Sequence, residues 1–186
     1  SASFSNKASE RGFEIIIHMP MENYGNNKGE ENFVLLTNLD SVTVRERIQA
    51  AFGQIPQAIG MNNHQGSVAT SDLRIMNFVA EVLKEEKKFF IDSRTTPETV
   101  AKKVMRLWRV PFAQRNVFLD NDPEEEKIMA QLESLASIAE RDGYAVGIGH
   151  VKKNTLEVLK IKIPELINEG YVFENVSKII AVDSVN

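Results

Sequence analysis

Residues 13–19 read FEIIIHM, and the fold turns on how this stretch is read. Three successive isoleucines leave no polar face, so the apolarity is continuous rather than alternating. That pattern predicts a strand buried on both faces, as in a parallel sheet covered by helices. The same rhythm continues along the chain. Strand-like runs recur at QAIGMN (57–62), KFFID (88–92), VPFA (110–113), NVFLD (116–120), YAVGIGH (144–150) and GYVFENV (170–176).

Helical patterns fall between them. SVTVRERIQAAFGQI (41–55) places Val44, Ile48, Ala51, Phe52 and Ile55 on one face, and Thr43 with Glu46 has capping-box spacing, which starts the helix at Thr43. A second helix is predicted from about Ser71 to Lys87, with Leu73, Met76, Ala80 and Leu83 inward. In TTPETVAKKVMRLW (95–108) Thr96 reads as N-cap and Pro97 as the first helical residue. DPEEEKIMAQLESLASIAERDG (122–143) is the clearest helix, capped by Asp122 and stopped by Gly143. NTLEVLKIK (154–162) is the last, and ENYGNNKGEEN (22–32) is a polar loop.

This alternation implies parallel strands with outer helices. With 186 residues the chain fits a single domain, 1–186. A closed eight-unit barrel takes roughly 250 residues, so a distorted or incomplete (β/α) barrel is expected, with an open doubly wound sheet as the alternative. The chain is 42% hydrophobic and 26% charged, enough apolar material for a sizeable core. Its net charge of -4 and its scattered lysines and arginines argue against a nucleic-acid partner. It has no cysteine, which excludes disulfides, thiolate metal sites and a cysteine nucleophile. No run is long enough for a membrane span, and SASFSNKASERGFE has no signal-like apolar core. Oligomeric state is not legible.

The three histidines are placed alike. His18 follows EIII, His64 follows AIGMNN, and His150 follows AVGIG. Each lies at the C-terminal end of a predicted strand, the edge where parallel α/β folds bind ligands. One such histidine is commonly structural; three at one edge and none elsewhere point to a site. Converging imidazoles suit a divalent metal, zinc first, which in catalytic sites takes three protein ligands and leaves one position open. A carboxylate should join them. Asp92 after KFFI and Asp120 after NVFL are the candidates, as ligand, base or the partner that orients an imidazole. Arg115 can bind an anionic or carbonyl group, or simply form a surface ion pair. Asn62 and Asn63 can bind polar substrate groups or lock their loop. Gly66 permits close backbone approach, and Ser67 or Ser71 can cap the helix that follows. HQGSV lacks the G-x-S-x-G elbow, and no phosphate-binding glycine motif occurs.

IIIHMPME (15–22), AIGMNNHQGS (58–67), FFIDS (89–93), RNVFLDN (115–121) and GIGH (147–150) occur in an order that resembles the divergent polysaccharide deacetylases, remote relatives of metal-dependent carbohydrate esterases. The resemblance runs from about residue 10 to residue 180. It implies a distorted (β/α) barrel and a metal-assisted deacetylase-like site. His18 and His64 match metal-holding positions, and His150 matches a late-strand general acid. Asp92 and Arg115 match polar positions in the same cleft. As a general acid His150 is expected to face the His18–His64 cleft without binding the ion, and Asp92 is the candidate carboxylate for its far nitrogen. An amino-sugar polymer is the implied substrate, in the periplasm or outside the cell. Gln65 stands where methionine is common. The family pattern also has an earlier apolar strand ending in paired aspartates, one a ligand and one a base. This sequence lacks that strand, so the sheet is expected to miss its first strand or strands and to expose an apolar edge near EIII. The alternative function is a non-catalytic envelope protein that keeps the fold and binds glycan or a partner.

Overall fold

The computed structural model describes residues 2–25 and 32–183. Positions 26–31 of the predicted polar loop lie outside the described residues. The chain divides into two compact units, Ser1–Gln114 with Ile180–Asn186, and Arg115–Ile179.

The first unit runs α1 (Ala2–Glu10), β1 (Ile15–Met21), α2 (Ser41–Gln54), β2 (Ala58–Gln65), α3 (Leu73–Glu85), β3 (Phe89–Asp92), α4 (Ala101–Trp108) and β4 (Phe112–Gln114). Its four strands are parallel, in the order β1-β2-β3-β4. Their buried residues share one apolar cluster with the helices, including Met19, Met61 and Phe90 from the strands and Ile48, Met76, Leu83 and Met105 from the helices. The expected burial of β1 on both faces holds only in part. Ile17, Met19 and Met21 are buried, Ile15 and Ile16 half-buried, and His18 is exposed. β1 is an edge strand of this sheet, and toward its C-terminal end one face opens to solvent, so alternation returns. Gly60 in β2 is a packing requirement: a Cβ there would sit 2.4 Å from the Phe89 ring.

Several predicted helix starts move. Asp40, not Thr43, caps α2, its carboxylate accepting the Thr43 N–H at 2.8 Å. Asp72 caps α3 by accepting the Ile75 N–H at 2.9 Å, while the Ser71 hydroxyl turns back to the Val68 carbonyl. Leu73, expected inward, is 48% exposed; Ile75, Val79 and Val82 fill the buried face with Met76, Ala80 and Leu83. The predicted start at Thr96 gives way to one at Ala101. The segment before it is tied elsewhere: the Thr99 hydroxyl donates to buried Asp92 at 2.8 Å, and the Val100 N–H donates to the Thr70 carbonyl at 2.8 Å.

The second unit carries β5 (Val117–Phe118), α5 (Glu125–Asp142), β6 (Gly147–Ile148) and α6 (Lys153–Asn168). β5 and β6 pair in parallel, and Val117, Leu119, Ile128, Leu132 and Val158 form their own core. Gly143, at φ 85°, ends α5 as expected, its N–H bonded to the Ala139 carbonyl. The α5 start lies at Glu125 rather than beside Asp122. The YAVGIGH strand contracts to two residues, and α6 runs on through exposed Pro164. GYVFENV is not a strand. Residues 171–175 pair with neither sheet, Val172 and Phe173 are exposed, and a final helix, α7 (Val176–Asp183), follows. Among the described residues the strands therefore form two parallel sheets of four and two, with a helix between successive strands of the chain except between β4 and β5. That is the expected parallel α/β architecture.

Candidate functional site

Register builds the first cluster. His18 of β1 stands opposite Asn62 of β2, and Asn62 opposite Ile91 of β3. Side chains alternate along a strand, so His18, Asn62, His64 and Ser93 fall on one face. The two imidazoles meet there: His18 Nε2 and His64 Nδ1 are 2.9 Å apart, with the rings nearly perpendicular at 73°. With metal–nitrogen bonds of about 2.0–2.1 Å, that separation corresponds to a ligand angle of about 90°, and opening it to roughly 3.3 Å gives the tetrahedral angle. The 2.9 Å spacing is that of a hydrogen bond between the two rings, and it is also the spacing of two metal-bound nitrogens. Among the described residues, no group of three or more His, Cys, Asp or Glu side chains is placed to hold one ion.

The pair rests on a buried polar frame. His18 Nδ1 and Asn62 Oδ1 are 2.9 Å apart. Asn62 Nδ2 donates to Ser93 Oγ at 3.0 Å, and that hydroxyl donates to the Asn63 carbonyl at 2.8 Å. The Ser93 N–H donates to Asn63 Oδ1, and Asn63 Nδ2 to the Gln65 carbonyl. Of the two roles open to Asn62 and Asn63, these bonds are of the loop-locking kind. Gln65 and Arg94 adopt left-handed backbone at φ 57° and 48°, just beyond the imidazole and the serine. Such conformations cost a non-glycine residue of order 1–2 kcal/mol and persist where surrounding bonds hold them. Gly66 (φ 89°) lies so close to Met21 that a Cβ would approach its Cβ to 2.9 Å. Asp92 takes another course. Alternation turns its buried carboxylate to the face opposite His18, where it accepts the Arg94 N–H and the Thr99 hydroxyl.

The second unit holds the third histidine. His150 Nδ1 lies 3.0 Å from Asp120 Oδ1, and the His150 N–H donates to Oδ2 at 3.0 Å. The carboxylate at Nδ1 is therefore Asp120, where Asp92 was expected. The Thr155 hydroxyl also donates to Asp120 at 3.1 Å, and Lys152 Nζ stands 3.6 Å away. Burial raises the Asp120 carboxyl, but the hydrogen bonds from His150 and Thr155 and the charge of the imidazole outweigh it and hold the group below the usual aspartate value. The acid is fully buried while the imidazole is half exposed, so a fixed carboxylate presents a reachable ring. Arg115 lies over the Phe118 ring at 5.4 Å, and Phe118 packs beside His150 at 5.4 Å. Sequence reading missed Ser93, Thr99, Phe118 and Thr155. Ser93 and Phe118 lie inside quoted motifs, but nothing in their spacing separates a bonding or packing role from any other.

The family model for divergent polysaccharide deacetylases matches residues 1–180. The chain belongs to this family. It is 34% identical over 175 residues to an uncharacterised protein of Haemophilus influenzae, an alignment covering 91% of this chain and 62% of that one. It is 32% identical over 178 residues to the uncharacterised protein YibQ of Escherichia coli, with 89% and 56% covered. The chain thus spans about three-fifths of the length of these curated relatives. The crystal structure of an uncharacterised protein of Agrobacterium tumefaciens superposes with a TM-score of 0.91 at 20% identity, covering 95% of this chain and 72% of that one. The two share one fold. No helix among the described residues is long and apolar enough to cross a membrane.

Proposed function

We propose that this member of the divergent polysaccharide deacetylases contributes metal-holding and proton-transferring residues to an N-deacetylase acting on an amino-sugar polymer outside the cytoplasm. The observation that carries the reading is the approach of His18 Nε2 to His64 Nδ1 at 2.9 Å on one face of a parallel sheet. In this reading the two nitrogens hold a divalent ion, zinc in the first instance. Bound there, zinc would polarise the acetamide carbonyl and acidify a water molecule. His150 donates its Nδ1–H to Asp120, which leaves Nε2 to carry a proton to the departing amine. Asp120, saturated by internal bonds, positions that ring rather than touching substrate. Arg115, carried on Phe118, binds a carbonyl or anionic group of the polymer.

Zinc titration of the metal-stripped protein tests this. The parent should bind, His18→Ala and His64→Ala should weaken binding by 100-fold or more, roughly the loss of one ligand's worth of affinity, and His150→Ala should bind as the parent does. Acetate release from an N-acetylglucosamine oligomer by the intact protein should fall about 10²–10⁴-fold in His150→Ala. Zinc affinity indifferent to both His18 and His64 would sink the proposal.

A further inference from the structure

The polar frame behind His18 has a direction. A backbone carbonyl can only accept, so the Ser93 hydroxyl, 2.8 Å from the Asn63 carbonyl, must spend its single proton there. Its lone pair then faces Asn62 at 3.0 Å and needs a donor, which only the amide nitrogen can be. With Nδ2 turned to Ser93, the amide oxygen is the atom that faces His18 Nδ1 at 2.9 Å. An amide oxygen accepts, so Nδ1 must carry the hydrogen. We propose that Ser93 and Asn62 form a one-way hydrogen-bond relay that fixes His18 as its Nδ1–H tautomer and so aims the Nε2 lone pair toward His64.

Each link follows from the donor or acceptor character of the group before it. The Asn63 carbonyl orients the serine, the serine orients the amide, and the amide selects the tautomer. Asn62 and Ser93 are 6% and 4% exposed, so water does not compete for these bonds. Both are positioning residues: they act on an ion only through His18. Register is what makes the relay possible, because it sets Asn62 between His18 on one strand and Ser93 beyond the next. The value of the relay to an ion rests on the proposed function, but the tautomer itself does not. A ring locked with its proton on Nε2 would point a hydrogen at His64 and could not offer that nitrogen to a metal.

The experiment is long-range proton–nitrogen correlation NMR on the histidine rings of the ¹⁵N-labelled, metal-free chain, recorded well above the histidine titration range. His18 should show its proton on Nδ1 in the parent. It should keep it there in His64→Ala, which removes the neighbouring ring, and in Asn62→Asp, which retains an acceptor. In Ser93→Ala the amide loses its director, and in Asn62→Leu the ring loses its acceptor; both should bring in the Nε2–H form. Zinc alone, titrated in parallel, should bind roughly 10–100-fold more weakly to Asn62→Leu and close to normally to Asn62→Asp. A parent ring protonated on Nε2 overturns the relay. So does a tautomer that changes in His64→Ala, or one that stays put in both Ser93→Ala and Asn62→Leu. If His18 carries Nδ1–H as described while the parent binds no zinc, the relay stands and the metal reading alone fails.

Discussion

The contrast between Asp92 and Asp120 shows how much one carboxylate depends on what surrounds it. Both are buried aspartates at a strand end, and both read alike in the sequence. Each accepts a backbone N–H and a threonine hydroxyl, and Asp120 holds an imidazole besides. Because Asp120 sits below its unfolded value, it binds fewer protons folded than unfolded at acid pH. Its contribution to stability is complete above the unfolded aspartate value, about 3.9, and is lost as pH falls through the lower folded value. Asp120→Asn should therefore be less stable at neutral pH, by about 1–3 kcal/mol for a broken buried network, and should lose less further stability than the parent between neutral pH and acid. Denaturant midpoints across pH check this, and parallel pH profiles in the two proteins would contradict it. The same substitution should lower turnover by the intact protein while leaving zinc affinity at His18 and His64 unchanged.

At the scale of the element, the helix starts were the least legible feature. Asp40 and Asp72 cap because each stands three residues before an N–H it can reach, while Thr43 and Thr96, equally good residues by type, do not. Asp72→Ala should cost about 1 kcal/mol, read as a lower denaturant midpoint with an unchanged slope. Within β2, Gly60→Ala would drive a methyl into the Phe89 ring. A loss of roughly 1–3 kcal/mol is expected from such overpacking, against near-neutrality if the ring can swing aside. The failed strand at GYVFENV belongs here too. Its apolar residues are of strand type, but they pair with neither sheet, and propensity without a hydrogen-bonded neighbour makes no strand.

At the scale of the whole molecule, an ion held only by the folded state must stabilise it. Zinc at a hundredfold excess over its Kd should add about 2.7 kcal/mol, visible as a higher Tm in the parent and absent from His18→Ala and His64→Ala. An equal shift in all three proteins would place the ion elsewhere. The amino-acid sequence by itself determined the order of elements from β1 to α6, because continuous apolarity and 3.6-residue periodicity are local signals; it did not determine the segment after α6. It also placed His64 and His150 beside strand ends, but His18, expected there too, is the middle residue of β1, which runs on through buried Met19 and Met21. Only the tertiary structure decided which groups touch. His18 and His64 are 46 residues apart, and Asp120 and His150 are 30 apart. Such pairs are made by strand register, and a slip of one residue would send every side chain to the other face. The choice of Asp120 over Asp92 for His150, and of Asn62 and Ser93 behind His18, is a consequence of that register, which no local pattern encodes.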